Sequence, residues 1–163
     1  MNRTKYIIKK LFLFLLPVIV IVIVFRLCFF MGTVTSGSME STLMTGDTIL
    51  VNKLAYILKE PKRGDIVCFY SKESGKVMAK RIIGIENDII AFVDGEVFIN
   101  GELYIEEYID ENCESYSLNE YYQVPENCVF LLGDNRENSF DSRYWINPYI
   151  SINTLYGKVI FNY

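Results

Sequence analysis

An unbroken apolar run from Leu11 to Phe25, extended past Arg26 by Leu27–Met31, limits how this chain can fold. Together these 21 residues match the ~20 that a helix needs to cross a bilayer. Pro17 sits inside the run, where a membrane helix tolerates it better than a soluble one. Arg26 lies near one end, where its long side chain can snorkel to the interface. Arg3, Lys5, Lys9 and Lys10 precede the run and no acid does. That bias predicts a cytoplasmic tail over residues 1–10, a transmembrane helix over 11–31, and an extracytoplasmic domain over 32–163. The expected location is therefore the cell membrane, with a single span in contact with lipid. The alternative is a cleaved secretory signal, with Thr33 and Thr35 mimicking a cleavage site. Signal-peptide cores usually run ~7–15 residues, and this longer core favours a retained anchor.

Beyond the apolar run the charge balance reverses. Residues 32–163 carry 11 of the basic residues against all 20 acidic ones. An acidic domain without a basic stripe repels phosphate, which argues against a nucleic-acid partner. Cys28 lies in the run, and Cys68, Cys113 and Cys128 lie outside it with no C-x-x-C pair. Those three permit at most one internal bridge, with Cys113–Cys128 closing the shortest loop. Separate buried thiols are the default reading.

The outer domain reads as β throughout. Thr48–Val51, Ile66–Tyr70, Val77–Ile83, Ile89–Val93, Val97–Asn100, Val129–Leu132 and Lys158–Phe161 are short runs rich in β-branched and aromatic residues. Asp94-Gly95 between two runs is a type I′ hairpin signal, repeated at Asn100-Gly101. Pro61, Arg63-Gly64 and Gly133-Asp134 read as turns. Lys53–Leu58 is the one short helix expected, and residues 111–124 read as a solvated loop. Many short strands with closely spaced turns predict an all-β antiparallel sheet or barrel.

The chemistry is narrowed by an absence: the chain has no histidine. Ser-His-Asp and Cys-His proteases are excluded within one chain, and a His-based zinc site is disfavoured. A nucleophile here needs another base, and lysine serves when burial lowers its pKa from ~10.4 towards neutrality. Ser36-Gly37-Ser38-Met39 follows the span closely and leads into Glu40–Leu43 and Gly46-Asp47. Alone, Ser-Gly-Ser is a linker sequence. On an extended Val77–Ile83 strand, alternation puts Lys80 on one face between Met78 and Ile82, a desolvating setting. A lysine at a strand end is otherwise a solvent-facing one. The polar stretch Gly133–Arg143 reads by itself as a charged surface loop, with Asp141 and Arg143 an exposed pair worth under ~1 kcal/mol.

Taken together, Ser36–Met39, Gly46-Asp47, Arg63–Val67, Lys80–Gly84 and Gly133–Arg143 resemble, in order and context, the type I signal peptidases. Several motifs in one order are far more specific than any one of them. The resemblance implies a serine endopeptidase without a cofactor, with Ser38 as nucleophile and Lys80 as general base. It implies an oxyanion hole from the Ser38 N–H and the Ser36 hydroxyl, such donors being worth ~3–4 kcal/mol each. Ser139 matches a serine that orients the lysine, and Asp141 and Arg143 match a supporting pair. Val34, Met39, Leu43, Met78 and Ala79 fall where that family lines shallow pockets for small side chains, as in A-x-A. The implied partners are signal peptides of preproteins, adding as a strand beside the site, membrane lipid, and the nearby export machinery. The short interval from Lys80 to Ser139 implies a small accessory hairpin region over about 86–128.

Three positions depart from that family's pattern. Ser41 replaces a usual proline, which predicts a looser turn; Asn87 replaces a glycine, and asparagine tolerates left-handed geometry; Ile146 also stands where glycine is common. Two rival readings remain. Self-cleaving Ser/Lys repressors share the dyad but carry a DNA-binding domain and need no membrane span. A tethered scaffold without turnover would be favoured by loss of Ser38 or Lys80, and both are present.

Overall fold

The computed structural model describes residues 3–57, 59–109 and 120–163. Helix α1 (Arg3–Cys28) contains a segment, Tyr6–Cys28, long and apolar enough to cross a membrane, with none of it buried against the protein. At 1.5 Å per residue those 23 residues extend about 35 Å, slightly more than a bilayer core. An apolar helix that buries no face against the protein fits membrane anchoring.

The helix stops at Cys28 rather than Met31. Phe29–Thr33 forms strand β1 instead, pairing antiparallel with β2 (Thr48–Asn52) from Phe29↔Asn52 to Thr33↔Thr48. Apolar composition cannot separate the end of a membrane helix from a strand that follows it directly; the ladder to β2 decides.

The other strands are β3 (Ile66–Ser71), β4 (Lys76–Gly84), β5 (Ile89–Val93), β6 (Glu96–Ile99), β7 (Glu102–Leu103), β8 (Tyr121–Gln123), β9 (Cys128–Leu132), β10 (Tyr149–Ser151) and β11 (Leu155–Asn162). They build a seven-stranded sheet in the order β1-β2-β11-β3-β4-β9-β10 and a four-stranded sheet in the order β7-β6-β5-β8, with antiparallel pairing. Asp94-Gly95 and Asn100-Gly101 make the two tight turns of the smaller sheet, each residue at positive φ as a type I′ turn requires.

The large sheet is covered on both faces, which explains near-continuous apolar runs such as Cys128–Leu132. Alternation sends Val129 and Leu131 to one side, with Val67, Phe69, Ile82 and Trp145. Phe130 and Leu132 turn to the other side, packing with Ile83 of β4 against Ile90, Phe92, Val97 and Val124 of the small-sheet region. Each such side chain contributes roughly 1.5–3 kcal/mol by leaving water. Gly84 permits the close approach, because a Cβ there would overlap Ile90 and Val124 side chains. A third cluster of Val34, Met39, Leu43, Ile49, Val51 and Cys68 lies under the segment that carries Ser38.

Two local expectations are corrected. Lys53–Ile57 forms turns, not a helix: the Ile57 N–H donates three residues back to the Leu54 carbonyl at 3.2 Å, while the Lys53 N–H donates to Cys28 and the Leu54 N–H to the Asn52 side chain; Leu58 lies outside the described residues. Of the loop expected over 111–124, Tyr121–Gln123 is strand β8, paired with β5, and Val124 is fully buried. Residues 111–119, including Cys113, lie outside the described residues, whereas Cys28, Cys68 and Cys128 are free thiols.

Candidate active site

Ser38 sits in a single 3₁₀ turn, Gly37–Met39, entered from an extended Ser36. Met39 anchors the turn by burying its side chain in the cluster beneath. The turn is held from the other side by Asn135, whose side-chain amide donates to the Gly37 carbonyl at 3.0 Å and whose backbone N–H donates to the Ser38 carbonyl at 3.2 Å. Gly133 makes this docking possible, since a Cβ there would overlap both the Ser38 carbonyl and the Ser139 hydroxyl.

Lys80 projects from β4 into the same place. Its Nζ lies 2.5 Å from Ser38 Oγ and 3.0 Å from Ser139 Oγ, and the residue is fully buried. Desolvation is the main influence on its amine, opposed by the Asp141 carboxylate, and the pKa falls from 10.5 to about 8. A lysine so placed holds a substantial neutral fraction near physiological pH and can take a proton from the serine it touches. Cys68 lines the same cleft, but burial pushes its thiol up to about 12, which leaves it un-ionised and a poor nucleophile.

Ser139 is buried, as are Asp141 and Arg143. The Asp141–Arg143 pair is therefore not a surface ion pair: both side chains are fully enclosed and meet through two parallel bonds of 2.8 Å. Asp141 also accepts the Gly133 N–H at 3.0 Å, and Arg143 donates to the Arg136 carbonyl. The pair thus fixes the loop that carries Asn135 and Ser139. A second buried pair, Arg81–Asp134, ties the same loop to β4 one residue beyond Lys80.

A cleft of about 410 Å³ opens over Ser38 and Lys80. Val34, Ser36, Met39, Met78 and Ala79 line it; Leu43 does not, being packed in the cluster below. Phe30, Gly32, Lys76 and Phe140 also line it and went unremarked in the sequence. Phe30 was hidden inside the apolar run and Gly32 lies just past its end, and only the β1–β2 pairing brings them to the site. Asn135 was legible only as part of the polar stretch, because its partners are distant in the chain.

The departures have structural readings. Ser41 adopts φ 80, which proline, fixed near −65°, cannot reach. Its hydroxyl donates to the Tyr108 carbonyl at 2.8 Å, so the turn is tied down rather than loosened. Asn87 takes φ 68, as a glycine substitute must. Ile146 is 94% exposed and lies outside the cleft lining.

A serine hydroxyl against a buried lysine amine, in a chain without histidine and at the end of an apolar helix, is the arrangement of membrane-anchored Ser/Lys hydrolases. The family model described as signal peptidase, peptidase S26, matches residues 8–163. Signal peptidase I of Bacillus caldolyticus is 35% identical over 156 residues, covering 88% of this chain and 84% of that protein. A probable signal peptidase I-2 of Synechocystis is 38% identical, covering 69% of this chain and 53% of that protein. The chloroplastic thylakoidal processing peptidase 1 of Arabidopsis thaliana is 34% identical over 80% of this chain and 41% of its own length. The chain thus spans about half or less of two of these relatives and most of the third. The crystal structure of a signal peptidase I from Enterococcus faecalis superimposes with a TM-score of 0.54 at 32% identity, covering 63% of this chain and 98% of that one. The chain belongs to the S26 signal peptidase family.

Proposed function

We propose that the chain is a membrane-anchored serine endopeptidase that removes N-terminal signal peptides from exported preproteins, cutting after small residues in an A-x-A-like pattern. The observation that carries this reading is the 2.5 Å approach of the buried Lys80 amine to Ser38 Oγ. Neutral Lys80 takes the Ser38 hydroxyl proton as Oγ attacks the scissile carbonyl carbon. The oxyanion is met by the Ser38 N–H and the Ser36 hydroxyl. Lys80 then returns the proton to the departing amide nitrogen, releasing the mature N-terminus and leaving the signal peptide as an ester on Ser38. A water, deprotonated by Lys80, hydrolyses that ester and frees Ser38. Ser139 orients the amine through the 3.0 Å contact, while Asp141 and Arg143 hold its loop.

Val34, Met39, Met78 and Ala79 form the cleft walls and leave room for small side chains, with Leu43 backing them from the core. The basic tail before the span supports an N-terminus in the cytoplasm and a catalytic domain outside the cell membrane, near the export machinery. Cleavage of a model preprotein in detergent by wild type, Ser38→Ala and Lys80→Ala tests the reading. Wild type cuts directly after the A-x-A-like site and both variants are nearly inactive; full activity in either variant overturns the mechanism.

A further inference from the structure

The passage from helix to β-domain contains no linker. Cys28 ends the helix and Phe29 begins β1. The last turn of an α-helix leaves four carbonyls without intrahelical partners, which must be met by side chains, backbone or water. One residue just past β2 serves two of those at this end. Lys53 Nζ donates to the Arg26 carbonyl at 2.9 Å, and the Lys53 backbone N–H donates to the Cys28 carbonyl at 2.9 Å. An ammonium there also faces the negative end of the helix dipole. Beside it Phe29 pairs with Asn52, and the Phe25 and Phe29 rings stack at 5.1 Å across the boundary.

The same strand continues as the wall of the cleft through Phe30, Gly32 and Val34. The six residues Phe29–Val34 cover about 20 Å at strand spacing. Membrane helix, joint and cleft wall are therefore continuous and paired as far as Val34, whose N–H donates to the Asp47 carbonyl, and the Ser38 turn beyond Thr35 and Ser36 is held separately by Asn135.

Resting on the function proposed above, we propose that Lys53 is a positioning residue that locks this joint. The locked joint fixes the height of Ser38 above the membrane. The enzyme then selects substrates by the number of residues between their membrane-embedded apolar segment and the bond cut. A substrate whose bond arrives too near or too far must distort or pull on the membrane, and a misplacement of about 1 Å can cost on the order of 100-fold in rate.

The test uses the full chain in lipid vesicles and preproteins that share one apolar segment and one A-x-A site, separated by spacers of graded length. Wild type, Lys53→Met, Lys53→Arg, and a chain with Gly-Ser-Gly-Ser inserted between Cys28 and Phe29 are compared. A short soluble peptide bearing the same site is the control. Wild type shows a rate sharply peaked in spacer length, falling about tenfold or more on either side. Lys53→Met, which keeps the stem and loses the donor, broadens the peak; the insertion flattens it; Lys53→Arg restores it. All four cut the soluble peptide at similar rates. Identical length profiles in wild type, Lys53→Met and the insertion, with the peptide still cut, overturn the joint and leave the peptidase reading intact. Equal losses on peptide and preprotein in Lys53→Met overturn it too, by making Lys53 part of the general fold. Failure of wild type to cut either substrate refutes the peptidase reading on which the joint rests.

Discussion

Replacing Lys80 by methionine should abolish cleavage and yet stabilise the folded domain below pH 8. Lys80 is fully buried, and its pKa falls from 10.5 to about 8, chiefly through desolvation. A shift of that size corresponds to roughly 3 kcal/mol of folding free energy that the buried ammonium costs at low pH. Between about 8 and 10.5 the unfolded chain binds the proton and the folded chain does not, so wild-type stability rises with pH across that window. Below pH 8 the penalty stands in full; above 10.5 it is gone. Methionine has a similar length and carries no charge, but it forfeits the bonds to the Ser38 and Ser139 hydroxyls, about 1 kcal/mol each. The net expectation is a Lys80→Met variant more stable by roughly 1–2 kcal/mol at pH 6, with the advantage shrinking and then reversing as pH rises towards 10.5. Urea unfolding of the full chain in micelles reads this directly, because Trp145 is the sole tryptophan and packs against Phe69 in the core. A variant less stable than wild type at pH 6, or a stability difference unchanged between pH 7 and 10.5, refutes the claim that burial governs this amine.

The rate of preprotein cleavage under single-turnover conditions should rise with pH up to an inflection near 8, since the base must be neutral; an inflection near 10.5 contradicts a buried base. Asp141→Ala removes the carboxylate from an enclosed pair and should destabilise the domain by roughly 3–5 kcal/mol in urea unfolding, whereas an exposed pair would cost under ~1 kcal/mol. Gly133→Ala forces apart the Ser38 carbonyl and the Ser139 hydroxyl. It should lower kcat by about 100-fold or more while circular dichroism still reports a folded β-domain.

The strands with strong β-branched patterning were legible in the sequence, as were both tight turns, because hydrophobic alternation and Asp-Gly or Asn-Gly turns are local signals. β1 was not, since Phe29–Met31 belongs to the membrane run in composition and only the pairing of Phe29–Thr33 with β2 marks a strand. β8 and β10 are three-residue strands, too short to show a period. Alternation along β4 placed Lys80 between Met78 and Ile82 but left a solvent-facing lysine open, because from Lys80 to Gly84 both faces of the strand are buried; its partners were not legible either, because Ser38 and Ser139 lie on loops that only the tertiary fold brings together. Resemblance supplied those assignments. Asn135 and Lys53 stayed hidden for the same reason: their roles are hydrogen bonds to backbone carbonyls far away in the chain, which leave no mark on residue type.

In the proposed mechanism Ser38, activated by Lys80, forms a covalent acyl intermediate. Acid quenching of wild type within one turnover of a preprotein, followed by digestion and mass analysis, tests it most directly. The expected result is the signal-peptide mass on the fragment containing Ser38, and no adduct in Lys80→Ala. An adduct on any other residue, or product formed by Ser38→Ala at the wild-type rate, would contradict it.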